Sequence, residues 1–201
     1  MMNAIKLAIL ASGNGSNAEI LVKKARLLNL EVVGIFCDKE GAFVLERARQ
    51  LEVPYELILP LPKEKREDFD RRLWQRLKEY EVKWVFLAGY MRLLSKEFLH
   101  NFFDPSLKQN RVINIHPSLL PSFPGVRAYE EAFEAGVGLS GVTVHFVDEG
   151  IDTGKIIKQK SFPRFKDDSL ETFKRRGQNL EHFLYPQVLE ELLSNIKGKT
   201  C

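Results

Sequence analysis

Asn114 and His116 stand two residues apart in Asn114-Ile115-His116-Pro117, which reads as the end of a strand. Alternate residues of a strand share a face, so the amide and the imidazole point the same way. A polar pair set among Val112, Ile113 and Ile115 is costly to bury without partners. An amide donor beside an imidazole is suitable equipment for a carbonyl that becomes an oxyanion. Pro117 and Pro121 fix the exit loop. Further on, Asp148-Glu149-Gly150-Ile151-Asp152-Thr153-Gly154 joins two strand-like runs. A carboxylate there could approach His116, support its cationic form and accept a proton through water. The same seven residues also suit an acidic hairpin turn. His145, just upstream, reads either as a further polar group near this site or as a plain strand residue.

A second kind of chemistry is written near the N-terminus, in Ser12-Gly13-Asn14-Gly15-Ser16-Asn17. Glycines let backbone approach an anion, and a helix that starts here offers unpaired N–H groups and a positive dipole end. Ser16 and Asn17 add side-chain donors. The pattern fits a monophosphate better than a dinucleotide, because Ala18 stands where the third glycine of the dinucleotide fingerprint belongs. The loose form of that fingerprint is met, with Asp38 as the acid, and a tight capped turn would use the same residues. After another strand-like run comes Ala88-Gly89-Tyr90-Met91-Arg92-Leu93-Leu94. Its apolar residues suit either a slot for a flat ligand or ordinary core around a short loop.

Other chemistries find little support. Ser118 lies near His116 but lacks the strained turn of a nucleophile elbow. Cys37 reads as a small buried residue at a strand end. His100 and His182 receive no chemical role, no two histidines have the spacing of a zinc site, and no metal is expected. The site reads as one whose substrate brings its own nucleophile.

The elements that must position these groups alternate. Strands are expected at 5–11, 32–36, 54–58, 84–88 and 112–115, with helices at 18–28, 42–50, 64–80 and 127–135 between and after them. In the 64–80 helix Phe69, Leu73, Leu77 and Tyr80 form the inner stripe and the charges face water. Ser95 caps a short helix carrying Phe98 and Leu99 inward. Strands at 140–147 and 155–162 follow, then a long helical region from Ser169, broken or kinked near Pro186. This order predicts an α/β doubly wound, mostly parallel sheet with helices on both faces and mixed pairing toward the C-terminal end. Ligands of such sheets bind beyond the carboxyl ends of the strands, where all four stretches above fall.

Length and composition agree with one domain. The chain has 201 residues, 44% of them hydrophobic and 28% charged. A chain of this size buries about 70% of its unfolded surface, so it needs no disulfide or structural metal. With 30 basic and 27 acidic residues the net charge is +3. That small, dispersed excess permits anionic substrates and does not indicate nucleic acid. The two cysteines, Cys37 and Cys201, form no pairing motif, which makes a reducing, cytoplasmic setting the default. The first ten residues do not read as a signal peptide. The longest apolar run, 84–91, is far short of the roughly 18 residues of a membrane span.

Taken together the motifs resemble the folate-dependent formyltransferases of purine synthesis, the glycinamide ribonucleotide transformylases. SGNGSN, AGYMRLLS, NIHPSLLPSFPG and VHFVDEGIDTG occur in that family's order and at similar separations, and the resemblance runs from about Ile5 to Ile196. It implies transfer of the formyl group of 10-formyltetrahydrofolate, as co-substrate, to the amine of 5-phosphoribosylglycinamide. The catalytic trio would be Asn114, His116 and Asp152, with Asp152 keeping His116 charged. Gly15, Ser16 and Asn17 match phosphate-binding positions and Glu181 the ribose-binding one. Arg66 matches a folate-binding position. The pterin slot maps onto Leu87, Met91, Arg92, Leu93, Leu94, Val112 and Val147, with Asn114 also facing the folate, and backbone from 148–152. Gly125 matches a glycine near the bound ligands, and the Leu120–Pro121 bond is expected to be cis. One domain over 1–201 is implied, its part up to about residue 100 binding the phosphate and its part from about 101 to 196 carrying the catalytic and folate site. The partners implied are these two small molecules, with neither nucleic acid nor membrane, in a monomer or homodimer.

Two features depart from the family pattern. The 103–111 segment is longer than the usual link into the following strand, and Lys155 stands where the family often has proline. The alternative is formyltetrahydrofolate hydrolase, which uses a related domain with water as acceptor. That enzyme carries an additional N-terminal domain and usually a second histidine where this chain has Pro117. Methionyl-tRNA formyltransferase would need a further C-terminal domain. A non-catalytic nucleotide-binding module or a nicotinamide dehydrogenase would leave Asn114, His116 and Asp152 without a task.

Overall fold

The computed structural model describes residues 4–197, with side chains of the last helix described through Leu193; Cys201 lies outside the described residues. Its strands are ordered β3-β2-β1-β4-β7-β8-β9 in one sheet, with a separate β5-β6 pair. The chain divides into two compact units, Met1–Ile113 and Asn114–Cys201.

In the first unit β1 (Lys6–Ala11) lies between β2 (Glu31–Cys37) and β4 (Trp84–Leu87), parallel to both, and β3 (Tyr55–Leu57) extends the sheet in parallel beyond β2. Leu7, Ala8, Ile9, Leu10 and Ala11 are wholly buried, which explains why β1 is a continuous apolar run rather than an alternating one. The connecting helices are α1 (Ser16–Leu27), α2 (Phe43–Gln50), α3 (Arg66–Glu79) and α4 (Lys96–Asn101). Ser95 caps α4, its Oγ accepting from the Phe98 N–H at 3.3 Å.

Helix α3 departs from its expected stripe at two places. Phe69, Leu73 and Leu77 are buried as expected, but Tyr80 is 38% exposed. The helix ends at Glu79, and Tyr80 instead meets Phe36 edge-on at 6.0 Å with the Arg76 guanidinium 5.5 Å over its ring. Asp70, a charge expected to face water, is 1% exposed. Its Oδ2 accepts from the Ser95 N–H at 2.6 Å, so α3 supplies the acceptor that ends the loop after β4. Burial raises the Asp70 pKa against this hydrogen bond.

The 103–111 segment holds two short strands that the sequence reading left unassigned, β5 (Phe103–Asp104) and β6 (Gln109–Asn110), paired antiparallel. Asp104 organises them. It accepts from the Ser106 N–H at 2.8 Å, from Arg111 Nε at 2.8 Å and from Arg111 Nη2 at 2.6 Å. Although burial opposes ionisation, these donors hold its pKa down at about 2. The Phe102 ring meets Trp74 of α3 at 5.1 Å, and the Val85 N–H donates to the Arg111 carbonyl. These contacts keep the segment with the first unit, which runs to Ile113.

Strand β7 (Val112–His116) passes through that boundary. The second unit then has α5 (Ala128–Glu134), β8 (Leu139–Phe146), β9 (Ile156–Pro163) and α6 (Leu170–Lys197). Strands β8 and β9 are antiparallel, paired from Leu139–Pro163 to His145–Ile156. This is the mixed pairing expected at the C-terminal end of the sheet. A cluster of Tyr129, Ala132, Phe162 and Phe173 joins α5, β9 and α6; burying Phe173 alone contributes about 1.5–3 kcal/mol. Helix α6 is not broken at Pro186. The proline forfeits one backbone N–H, but Leu184, Tyr185, Val188 and Leu189 on either side of it are all buried. Their packing outweighs a loss on the order of 3 kcal/mol.

Candidate active site

Asn114 and His116 leave β7 on the same face and meet the loop between β8 and β9. That loop is closed at its base by the Phe146 N–H donating to the Lys155 carbonyl at 2.9 Å, an acceptor that a proline at 155 would also present. Gly154 is required beside it, since a Cβ there would lie 1.7 Å from the Phe146 carbonyl oxygen. Inside the loop, Asp148 Oδ1 accepts from the Gly150 N–H at 3.1 Å and from Thr153 Oγ1 at 2.7 Å. Thus fastened, the loop holds Asp152 at φ 54°, a left-handed conformation that, glycine aside, a short polar residue tolerates best.

Four groups converge on the two oxygens of Asp152. Oδ2 accepts from the Gly125 N–H at 2.8 Å and lies 3.2 Å from His116 Nδ1. Oδ1 lies 3.4 Å from Asn114 Nδ2 and 3.6 Å from His145 Nε2. The other nitrogen of His116, Nε2, is 2.8 Å from the Phe123 carbonyl. A carbonyl only accepts, so Nε2 carries a hydrogen and Nδ1 is the atom that titrates. By the same reasoning His145 Nδ1 donates to the Phe146 carbonyl at 2.8 Å, leaving Nε2 to accept from Asn114 at 3.3 Å.

The loop from Pro117 to Gly125 is braced from β8 and β9. Thr143 Oγ1 donates to the Ser118 carbonyl at 2.7 Å and accepts from the Leu120 N–H at 3.2 Å. Gln159 Nε2 donates to Thr143 Oγ1 at 2.8 Å and to the Leu120 carbonyl at 2.9 Å. Ser118 is fully buried and donates to the Ser122 carbonyl, a structural bond that leaves it no nucleophilic role. The Leu120–Pro121 bond is cis.

His116 is 4% exposed. Burial pulls its pKa below the ordinary histidine value, and the Asp152 charge and the Phe123 carbonyl only partly oppose this. Asp152 favours the imidazolium and burial disfavours it, and the balance of the two lies on the side of burial. Asp152 shows the opposite balance. Burial raises its pKa, but the neighbouring His145 imidazole, the Gly125 N–H and the His116 imidazole outweigh burial and hold it low, so it stays ionised.

The structure places the remaining expected residues in two groups. In the second unit Glu181 is 8% exposed and accepts from the Tyr129 hydroxyl. Tyr129 packs where α6 has Gly177, whose Cβ would come within 2.4 Å of the ring. Burial and the Glu181 charge push the Tyr129 pKa far up, so the phenol keeps its proton. In the first unit Gly15, at φ 78°, is the N-cap of α1, with Ser16 and Asn17 its first residues. Ser12 turns away from that helix end. It is buried, and its Oγ accepts from the Met91 N–H at 2.9 Å while its own N–H donates to the Gly89 carbonyl. Met91 and Leu93 are open at 63% and 47% exposure, whereas Leu87, Leu94 and Val112 are core. Arg92 lies 4.2 Å over the Phe69 ring, and Arg66 is exposed beside Glu67 at 3.3 Å.

Two polar residues of the site went unassigned at the sequence level. His145 left a trace, because Thr143 and His145 alternate with Val142 and Val144 on a strand whose polar face turns out to be buried. Tyr129 left none, since a tyrosine in an amphipathic helix reads as core. Among the described residues no group of three or more His, Cys, Asp or Glu could hold a metal ion, and no helix is long and apolar enough to cross a membrane.

A profile of the formyl transferase family matches residues 5–189. A phosphoribosylglycinamide formyltransferase of Bacillus subtilis is 43% identical over 197 residues, which is 96% of this chain and 98% of that one. The trifunctional purine biosynthetic protein adenosine-3 of Drosophila melanogaster is 38% identical over 94% of this chain, which spans only 14% of that longer protein. The crystal structure of the phosphoribosylglycinamide formyltransferase of Bacillus halodurans superimposes with a TM-score of 0.86 at 42% identity, covering 94% of this chain and 95% of that one.

Proposed function

The chain belongs to the formyl transferase family, and on that premise we propose that it transfers the formyl group of 10-formyltetrahydrofolate to the amine of 5-phosphoribosylglycinamide. The products are formylglycinamide ribonucleotide and tetrahydrofolate, in purine synthesis. The observation that carries this reading is the convergence of Asn114, His116 and His145 on the ionised carboxylate of Asp152. It is a preorganised proton relay beside an amide donor, with no group built to form a covalent intermediate.

In this mechanism the substrate amine attacks the formyl carbon. The C–N bond forms, and the carbonyl electron pair moves to oxygen. Asn114 Nδ2 is free to turn to that oxyanion at small cost, because the two contacts it gives up, at 3.3 and 3.4 Å, are long for such bonds. The proton released by the attacking nitrogen passes through water to His116 Nδ1. The imidazolium so formed is stabilised by Asp152 and adds its charge to the oxyanion's support. Its low pKa then makes it a ready acid. It returns the proton to the departing folate nitrogen as the C–N bond to folate breaks and the carbonyl re-forms. One proton has moved from amine to folate, and the site ends as it began.

Gly15, Ser16 and Asn17 take the phosphate of the ribonucleotide, Glu181 takes the ribose, and Arg66, Met91, Arg92, Leu93, Leu94 and Asn114 meet the folate. The first unit thus serves phosphate binding and the second serves catalysis. The open apolar side chains of Met91 and Leu93 support the folate assignment, since such groups cost free energy in water until a ligand covers them. The reaction runs on small molecules, needs no metal, and belongs in the cytoplasm, where purines are made. The test is an initial rate with 10-formyltetrahydrofolate, measured with and without phosphoribosylglycinamide. Formyl release in the ribonucleotide's absence at the full rate would refute transfer and favour hydrolysis.

A further inference from the structure

The turn assigned to the phosphate is moulded by α2. The Val44 N–H donates to the Gly13 carbonyl at 3.0 Å. Arg47 Nε donates to the Asn14 carbonyl at 2.9 Å, and Arg47 Nη2 donates to Asn14 Oδ1 at 3.0 Å. The third nitrogen, Nη1, pairs with Glu19 in the first turn of α1. The guanidinium is held in place from beneath, 5.0 Å over the Phe43 ring. Every nitrogen of this side chain is thereby committed within the first unit.

These bonds have a geometric consequence. In a trans peptide the C=O and the N–H point in opposite directions. Two successive carbonyls, those of Gly13 and Asn14, are drawn toward α2. The N–H groups that share their peptide planes, those of Asn14 and Gly15, are therefore turned away from α2. Successive N–H groups turned one way make an anion-binding concavity, and the start of α1 adds the positive end of its dipole. Glu19, in the first turn of α1, would repel a dianion, and it is answered by both Arg47 and Lys23.

We propose that Arg47 is a positioning residue for the phosphate: gripping Asn14 at its carbonyl and its amide, it aims the Gly15 N–H at a phosphomonoester dianion that it does not itself touch. This rests on the reading that the 12–17 turn binds phosphate. A fork is needed rather than a charge, because one side chain must hold two oxygens of one residue at fixed angles. Lysine supplies the charge without the fork.

Ribose 5-phosphate and inorganic phosphate, titrated by calorimetry into wild type, Arg47→Ala, Arg47→Lys and Arg49→Ala, test this. Arg49 lies on the same helix and pairs with Glu46 and Tyr55, so its removal controls for loosening of α2. Loss of the fork should weaken both ligands about tenfold, the scale of one or two charged hydrogen bonds. Arg47→Lys should be as weak as Arg47→Ala, and Arg49→Ala should bind as wild type. In turnover the ribonucleotide KM should rise by a similar factor, with the formyl-folate KM and kcat within about twofold of wild type. Unchanged ligand affinity in Arg47→Ala, full recovery in Arg47→Lys, or equal weakening in Arg49→Ala would each overturn the role given to Arg47. Failure of wild type to bind either ligand would instead overturn the phosphate reading of the turn itself.

Discussion

The proton on His116 Nδ1 decides how this site works and when it fails. Removing the ring in His116→Ala should lower kcat by at least about 10²-fold, the cost of losing an oxyanion-stabilising group, with folate affinity little changed. Near wild-type turnover would refute the assignment. Asp152→Asn should also lower kcat strongly. A neutral amide keeps the shape and an acceptor oxygen for Gly125 but lacks the negative charge that stabilises the imidazolium of His116. The depressed pKa values also set a stability profile. An unfolded histidine takes up its proton near pH 6.5, while folded His116 resists protonation to lower pH, so the unfolded state binds more protons in that interval. Stability should therefore be complete above about pH 6.5 and fall as pH drops through the lowered folded value; Asp152 adds a second loss below about pH 4. Tm measured against pH should show a smaller decline between pH 6.5 and 5 in His116→Asn than in wild type.

At the scale of elements, two buried polar groups hold the loop after β4. Ser12 fastens its beginning at Met91, and Asp70 fastens its end at Ser95. Asp70→Ala leaves the Ser95 N–H unsatisfied in a buried setting and should cost about 1–3 kcal/mol in urea unfolding. Asp70→Asn keeps an acceptor oxygen and should cost less; equal losses would mean that the hydrogen bond is not what matters there. Gly15 belongs to this scale as well. A Cβ would lie 2.3 Å from Val44 Cγ2 and 2.9 Å from Val44 Cα, at φ 78°. Gly15→Val should therefore lower Tm before any effect on an anion is felt. Val44→Ala should not rescue it, because the clash reaches the Val44 backbone and the strained φ remains.

At the scale of the whole molecule the reaction must join binding to chemistry. If binding energy from the remote phosphate is used to place the amine, glycinamide without its ribosyl phosphate should be a very poor acceptor. Inorganic phosphate should then compete with the ribonucleotide and not with folate in steady-state inhibition. A metal-free relay predicts that a chelator leaves the rate unchanged and that added zinc does not raise it. Loss of activity with chelator and recovery with metal would require a different mechanism.

The alternation of strands and helices, the parallel core strands and the antiparallel β8–β9 pair were legible in the sequence because each follows from local apolar patterning and turn residues. The four motifs at the strand ends were legible for the same reason, since a strand end is marked by the glycine, proline or polar residue that stops it. Three things were decided only by tertiary structure, through contacts between residues far apart in the chain. Asp70 is buried because Ser95 offers it an N–H across 25 residues. Helix α6 runs through Pro186 because the residues around the proline pack into the core. The proton on His116 is loosely held because burial in the folded chain costs the cation more than Asp152 and the Phe123 carbonyl return. A sequence shows which side chains can titrate, but the pKa at which they do so depends on burial and partners, which exist only once the chain is folded.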